Sequence, residues 1–115
     1  MTRKTRPVSW IGAALKEFNA FPQPARSISL TALIIAAEGG KAGIARPMHG
    51  FGSGVFEISL PFQGDEFRVV YAVQLAEAIW ILHVFHKKST QGAKTPKCDI
   101  DLIGDQLKRL NEMPG

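Results

Sequence analysis

The chain has 115 residues, 45% hydrophobic and 21% charged, with 14 Lys and Arg against 10 Asp and Glu for a net charge of +4. That length allows one ordinary domain with a single core, and the composition excludes a disordered or low-complexity protein. A lone cysteine, Cys98, excludes an internal disulfide and a cysteine-built zinc site, and the longest apolar run, residues 30–37, is far below the ~20 residues a bilayer span needs.

The basic start, with Arg3, Lys4 and Arg6, has no apolar segment behind it as a signal peptide would, so a cytoplasmic protein is expected. The positive balance favours acidic partners, nucleic acid first, although much of the excess sits in residues 1–8, expected to be a flexible end. Ser9 is placed to cap a first helix, in which Ile11, Leu15 and Phe18 recur at helical spacing and Trp10 and Ala14 widen the stripe. Phe21-Pro22 and Pro24 interrupt it. A second helix is expected from Gln23 or Pro24 to Glu38, with Ala25, Ile28, Ala32 and Ile35 on one face and Gly39-Gly40 as its stop. Two helices joined by a short link predict an antiparallel pair lying on a sheet.

Residues 41–54 read as loop or irregular strand, rich in glycine and proline. Lys41, Arg46 and His49 there could line a phosphate path or simply be solvated. The glycines match no phosphate loop, since no Gly-Lys-Ser/Thr ending follows. Val55–Leu60 alternates as a half-buried strand ended by Pro61, and Gln63-Gly64-Asp65 turns the chain. Phe67–Val73 and Ala78–His86 are β-rich runs joined by a short turn centred on Leu75 and Ala76, making the hairpin at the middle of the sheet. Counting from that turn, Arg68 faces His83. Alternation sets Arg68, His83 and Lys87 on one side, with Tyr71, Trp80, His86 and Lys88 on the other. Thr95 and Pro96 then start a last helix, with Asp99 and Asp101 near its positive end and Lys108 and Arg109 near its negative end. Ile100, Ile103, Leu107 and Leu110 form its buried stripe, and residues 112–115 are expected to be loose. The sum is a single α+β domain, an N-terminal helical pair packed on a small antiparallel β-sheet with a C-terminal helix.

Arg68 draws attention because a guanidinium on a central strand needs a partner. Its planar fork suits a phosphate, or a carboxylate such as Glu57 or Glu66. At the end of the hairpin, one of Lys87 and Lys88 could stabilise a phosphorane-like transition state while the other holds a flanking phosphate; a solvated strand end would look the same. His83 and His86 can exchange a proton near neutrality, but they point to opposite faces and His49 makes no convincing third ligand, so no metal or cofactor is expected. Tyr71 and Trp80 offer either stacking surfaces for bases or core packing. There is no Ser-His-Asp set and no pair of carboxylates in an apolar setting.

Taken together, Gly54-Val55-Phe56-Glu57-Ile58, Phe67-Arg68-Val69-Val70-Tyr71, Leu82-His83-Val84-Phe85-His86-Lys87-Lys88 and Thr95-Pro96 before a helix resemble the phage Gp49-like branch of the RelE/HigB toxin superfamily. The resemblance covers roughly Arg46 to Leu110, and the arginine-tyrosine strand followed by Phe-x-Lys-Lys is its most specific part. It implies a RelE-like fold and the toxin of a type II toxin–antitoxin module, an endoribonuclease that cuts messenger RNA, often on the ribosome. In such enzymes the RNA 2′-hydroxyl attacks the adjacent phosphate without a metal. By the same resemblance Arg68 and Lys87 or Lys88 would bind the scissile phosphate, Tyr71 would pack, and a HigA-like helix-turn-helix antitoxin would cover the basic face in a hetero-oligomer. Glu57 and Ser59 depart from the pattern, standing where RelE-type nucleases place lysines, and no tyrosine follows Lys88. That leaves His83 or His86 as the general base. Two other readings stay open: gyrase inhibition, as in the ParE branch, and a non-catalytic phage-related binding protein.

Overall fold

Along the chain come β1 (Val8–Trp10), α1 (Ala14–Asn19), α2 (Gln23–Ala37), β2 (Ala45–Pro47), β3 (Val55–Phe62), β4 (Asp65–Ala72), β5 (Ile79–Lys88) and α3 (Lys97–Glu112). This order is that of a computed structural model, which describes residues 5–74, 77–88 and 94–112. The strands form one sheet in the order β1-β5-β4-β3-β2.

The β3–β4 hairpin turns on Gln63 (φ 51°) and Gly64 (φ 84°). Both are left-handed, the geometry whose twist matches the strands it joins. Pro61 does not end β3 as expected. Ser59 sends its amide outward to the Ile44 carbonyl at 3.3 Å. Two residues on, the ring nitrogen of Pro61 faces the same outer side, past the end of β2, so no ladder bond is lost there.

The central hairpin is formed by β4 and β5 in a register other than the expected one. Arg68 lies opposite Phe85, and His83 opposite Val70. Between Val70 and Tyr71 the partner jumps from His83 to Ile81, leaving Leu82 as the extra residue of a bulge. A shift of two keeps Arg68, His83 and Lys87 on one face, and Tyr71, His86 and Lys88 on the other. The bulge moves Trp80 across to the Arg68 face, where it packs against the α3 core. The expected turn centre, Leu75 and Ala76, lies outside the described residues.

Val8–Trp10 is a strand where a helix start was expected. It runs parallel to β5, Val8 beside Ile79 and Trp10 beside Ile81, so the sheet is mixed rather than purely antiparallel. Gly12 (φ 57°) then turns the chain into α1, which has no side-chain cap, and Ser9 caps nothing. The end expected to be flexible is shortened too: the Arg6 amide donates to the Ala37 carbonyl at 3.0 Å, and its guanidinium to the Val73 carbonyl at 3.0 Å.

Three layers result. The helical pair covers one face, where Phe18, Phe21 and Leu33 meet Ile58, Phe67, Val69, Tyr71 and Ile81. α2 buries its small residues, Ala25, Ser29, Ala32 and Ala36, and turns Ile28 outward, against expectation. Small side chains let the helix axis come close to the strands. On the other face α3 buries Ile103, Leu107 and Leu110 against Val55, Val70, Ala72, Leu82 and Phe85. Each such aliphatic side chain contributes roughly 1.5–3 kcal/mol. Among the described residues no helix is long and apolar enough to cross a membrane.

Candidate functional site

The α3 face of the sheet is apolar along one half and polar along the other. Alternation and register bring Glu57 and Ser59 of β3, Glu66 and Arg68 of β4 and Lys87 of β5 to this side, with Ser59 opposite Arg68 and Glu66 opposite Lys87. Arg68 is 1% exposed. A buried guanidinium must be paired, and here two carboxylates do it. Its Nη1 donates to Glu57 Oε1 at 3.0 Å and to Thr95 Oγ1 at 3.3 Å, and its Nη2 donates to Glu66 Oε1 at 2.6 Å. Thr95 donates its hydroxyl to Glu57 Oε2 at 3.1 Å, and Ser59 donates to Glu66 Oε1 at 3.1 Å.

Thr95 was expected to cap α3 but is drawn into this network. The amides of Asp99 and Ile100 instead donate to the Pro96 carbonyl. Lys87, also buried, donates from Nζ to the Lys94 carbonyl at 2.9 Å. The hydrogen bond from Arg68, assisted by its charge, by the Ser59 hydroxyl and by the charge of Lys87, holds the Glu66 carboxyl below its ordinary value of 4.5 although burial pushes the other way. Two cations and two carboxylates therefore balance inside the network.

Beside the network lies a cleft of about 620 Å³ between β2 and the start of α3. Arg46, His49 and Lys94 give it a basic rim, Met48 and Ile100 an apolar flank, and Glu57 and Thr95 form its boundary with the buried cluster. β2, although three residues long, sets this up by placing Arg46 directly opposite Glu57. Glu57 thus reaches Arg68 on one side and the open cleft on the other.

The remaining candidates are dispersed. Lys88 lies on the helical-pair face, its side chain 72% exposed and 3.3 Å from Asp65. His86 is exposed on that same face and stacks on Phe67. His83 stays on the α3 face, its Nε2 2.7 Å from Asp99 Oδ1 and its ring stacked on Phe85. It lines a separate hollow between α1 and α3. Lys41 donates to the Ala45 carbonyl at 3.0 Å and lines another hollow with Arg6. Tyr71 cannot serve as a base-stacking platform: it is 1% exposed and stacked on Phe56, and burial pushes its phenol up to about 12. Only Arg46 and His49 of the expected RNA-binding residues share the cleft. Among the described residues, no three His, Cys, Asp or Glu side chains gather as metal ligands would.

Sequence reasoning missed Glu57, Lys94 and Thr95 as parts of one site. The sequence offered Glu57 as a carboxylate partner for Arg68, and the β3–β4 register puts the two on one face. What could not be read was that a three-residue strand containing a proline would bring Arg46 alongside.

A helical pair on one face of a small sheet and a C-terminal helix on the other define the RelE-type toxin fold. A solved structure of an Escherichia coli toxin RelE double mutant in the free state matches it with a TM-score of 0.61, over 92% of this chain and 98% of that one, at 17% identity. No curated protein matches the sequence. The family described as phage derived protein Gp49-like (DUF891) matches residues 16–108. The chain belongs to this Gp49-like family, one of the RelE/HigB-type toxin families, and carries the fold of toxin–antitoxin toxins.

Proposed function

We propose that the chain is the toxin of a type II toxin–antitoxin module and cuts messenger RNA at the ribosome as a metal-independent endoribonuclease, with Glu57 as its general base. The observation that carries this reading is that Glu57 contacts Arg68 and also lines the cleft rimmed by Arg46, His49 and Lys94. Each Glu57 oxygen accepts one hydrogen bond and has a lone pair left. A phosphodiester enters the cleft against Arg46 and Lys94. Glu57 takes the proton of the RNA 2′-hydroxyl, whose oxygen attacks the adjacent phosphorus. The bond to the 5′ oxygen breaks, leaving a 2′,3′-cyclic phosphate, and His49 in its protonated form gives the leaving oxygen its proton.

Arg68 does not touch the RNA in this scheme. It is a positioning residue that fixes the Glu57 carboxylate and faces it with positive charge. Lys87 acts at one remove, by anchoring the Lys94 backbone. A HigA-like helix-turn-helix antitoxin would cover the basic cleft in a hetero-oligomer, and the activity belongs in the cytoplasm.

Glu57→Gln keeps the shape of the side chain and one acceptor for Arg68, gives up the second acceptor that Thr95 uses, and removes the base. Primer-extension mapping of cellular messages after induction should show cuts with the parent chain, reduced ~10²–10⁴-fold in Glu57→Gln and in His49→Ala. Parent-like cutting by Glu57→Gln would remove the base assignment. The internal charge balance around Arg68 favours a second reading, a non-catalytic binding protein. It prevails if the parent cuts no message and does no harm. Damage signalling without RNA cleavage would favour gyrase inhibition.

A further inference from the structure

β1 covers only the first part of the outer edge of β5. It pairs with Ile79, Trp80 and Ile81, the Ile11 amide donates to the Ile81 carbonyl at 3.1 Å, and Gly12 (φ 57°) then turns the chain away into α1. Beyond that point the ladder shows which main-chain groups are left over. Because the Ser59 amide points outward to Ile44, its neighbours Ile58 and Leu60 bond to β4, and Arg68, opposite Ser59, bonds to Phe85 of β5. One residue to either side of Phe85, Val84 and His86 therefore turn amide and carbonyl away from the sheet. No other backbone group among the described residues bonds to them. Val84 is only 2% exposed, so its unpaired groups are costly where they stand.

This lane, which β1 leaves empty, is the floor of the hollow between α1 and α3, about 400 Å³ in volume. Ala13 and Glu17 stand on one bank, Leu102 and Gln106 on the other. Banks on both sides leave room for one extended chain, whereas a second copy of the protein would bring its own α1 and α3 to the same place. Main-chain donors and acceptors that repeat every second residue are matched by another extended main chain. Its side chains would point alternately toward α1 and toward α3. Of the three titratable side chains lining the hollow, His83 is held by Asp99 and His86 stacks on Phe67. The third, Glu17, is exposed on the α1 side and has no ion pair among the described residues. On the α3 side Leu102 is 48% exposed.

We propose that an extended segment of another polypeptide, alternating basic and apolar side chains, adds itself to the sheet along β5 where β1 stops. Its main chain satisfies Val84 and His86, its basic residues meet Glu17, and its apolar residues cover Leu102. The strand order sets this lane and the Arg46 cleft at opposite ends of the sheet, so the two sites are separate.

The probe is a heptapeptide with blocked ends, alternating lysine with valine, added to the full chain up to millimolar concentration. In NMR spectra the amide protons of Val84 and His86 should move downfield and exchange more slowly. His86→Pro removes one outward donor without touching the ladder to β4, as Pro61 does on β3, and should weaken binding about tenfold. Glu17→Lys should weaken it several-fold, and a peptide with glutamate in place of lysine should prefer that variant to the parent. Circular dichroism checks that each variant keeps the fold. Unchanged amide protons at both residues overturn the proposal. So does equal binding of a peptide methylated at every backbone nitrogen, since the main chain would then not be what is read. A parent chain whose own mass doubles from 12.6 kDa, and no longer does so in His86→Pro, puts a second copy on this edge and overturns it as well.

Discussion

Arg68 offers its fork to two carboxylates of its own chain, and the consequence is first one of stability. Glu57 and Glu66 have side chains only 14% and 16% exposed. Arg68→Ala would leave them close together without their shared cation, and breaking a buried pair in this way costs about 3–5 kcal/mol. A large fall in the urea midpoint of the variant checks it. The pH dependence has a definite sign. The Glu66 carboxyl is held below its ordinary value of 4.5, so its contribution is fully present above that value and is lost as pH falls through the folded one. The parent should therefore lose stability below pH 4.5 more steeply than Arg68→Ala, which has little of this contribution left to lose. At this scale much was legible. Alternation gave the face of Arg68, and its fork named Glu57 and Glu66 as possible partners. Nothing in the residue types decided between carboxylate and phosphate, because both satisfy the same donors. The choice rests on the β3–β4 register, which sets Glu57 one position along from Arg68 on the same face.

The elements were read best where a repeating pattern ran long and worst where three residues decided the outcome. α2 and α3 showed themselves by helical periodicity, and the β4–β5 hairpin by runs of β-formers. β1 did not, because Val8, Ser9 and Trp10 fit the start of a helical stripe as well as a short strand, and only the open edge of β5 decides between them. Ile28 was assigned to the buried face of α2 by its helical spacing, but the helix packs on the sheet through a stripe turned away from it, Ala25, Ser29, Ala32, Leu33 and Ala36. The β3–β4 turn gives a sharper test. Gly64 has a φ of 84° and no atom within 4 Å of where a Cβ would stand, so any cost of a side chain there is conformational rather than steric crowding. Gly64→Ala should cost about 1–2 kcal/mol in denaturant unfolding. Gly43→Ala has equal space and no left-handed φ, and should be neutral or stabilise by up to about 1 kcal/mol. Equal losses at both sites would mean that the turn does not hold the geometry described.

Across the whole molecule the two faces of the sheet carry different positive charges, which makes the RNA path testable without any cleavage. Arg46 and Lys94 rim the cleft on the α3 side. Lys88 projects on the helical-pair side. Each phosphate neutralised on a single strand releases counterions and adds about −0.7 to the slope of log K against log salt. Two contacts in the cleft thus give a slope of about −1.4. The net charge of +4 would attract RNA to either face at low salt, so affinity alone does not locate the path. The change in slope does. In a Glu57→Gln background, where RNA binds but is not cut, fluorescence anisotropy with a short single strand should give a slope flattened by about 0.7 in Arg46→Ala. Lys88→Ala should leave the slope unchanged. If Lys88→Ala flattens it and Arg46→Ala does not, the phosphates run over the opposite face, and a base at Glu57 could not reach the 2′-hydroxyl from there.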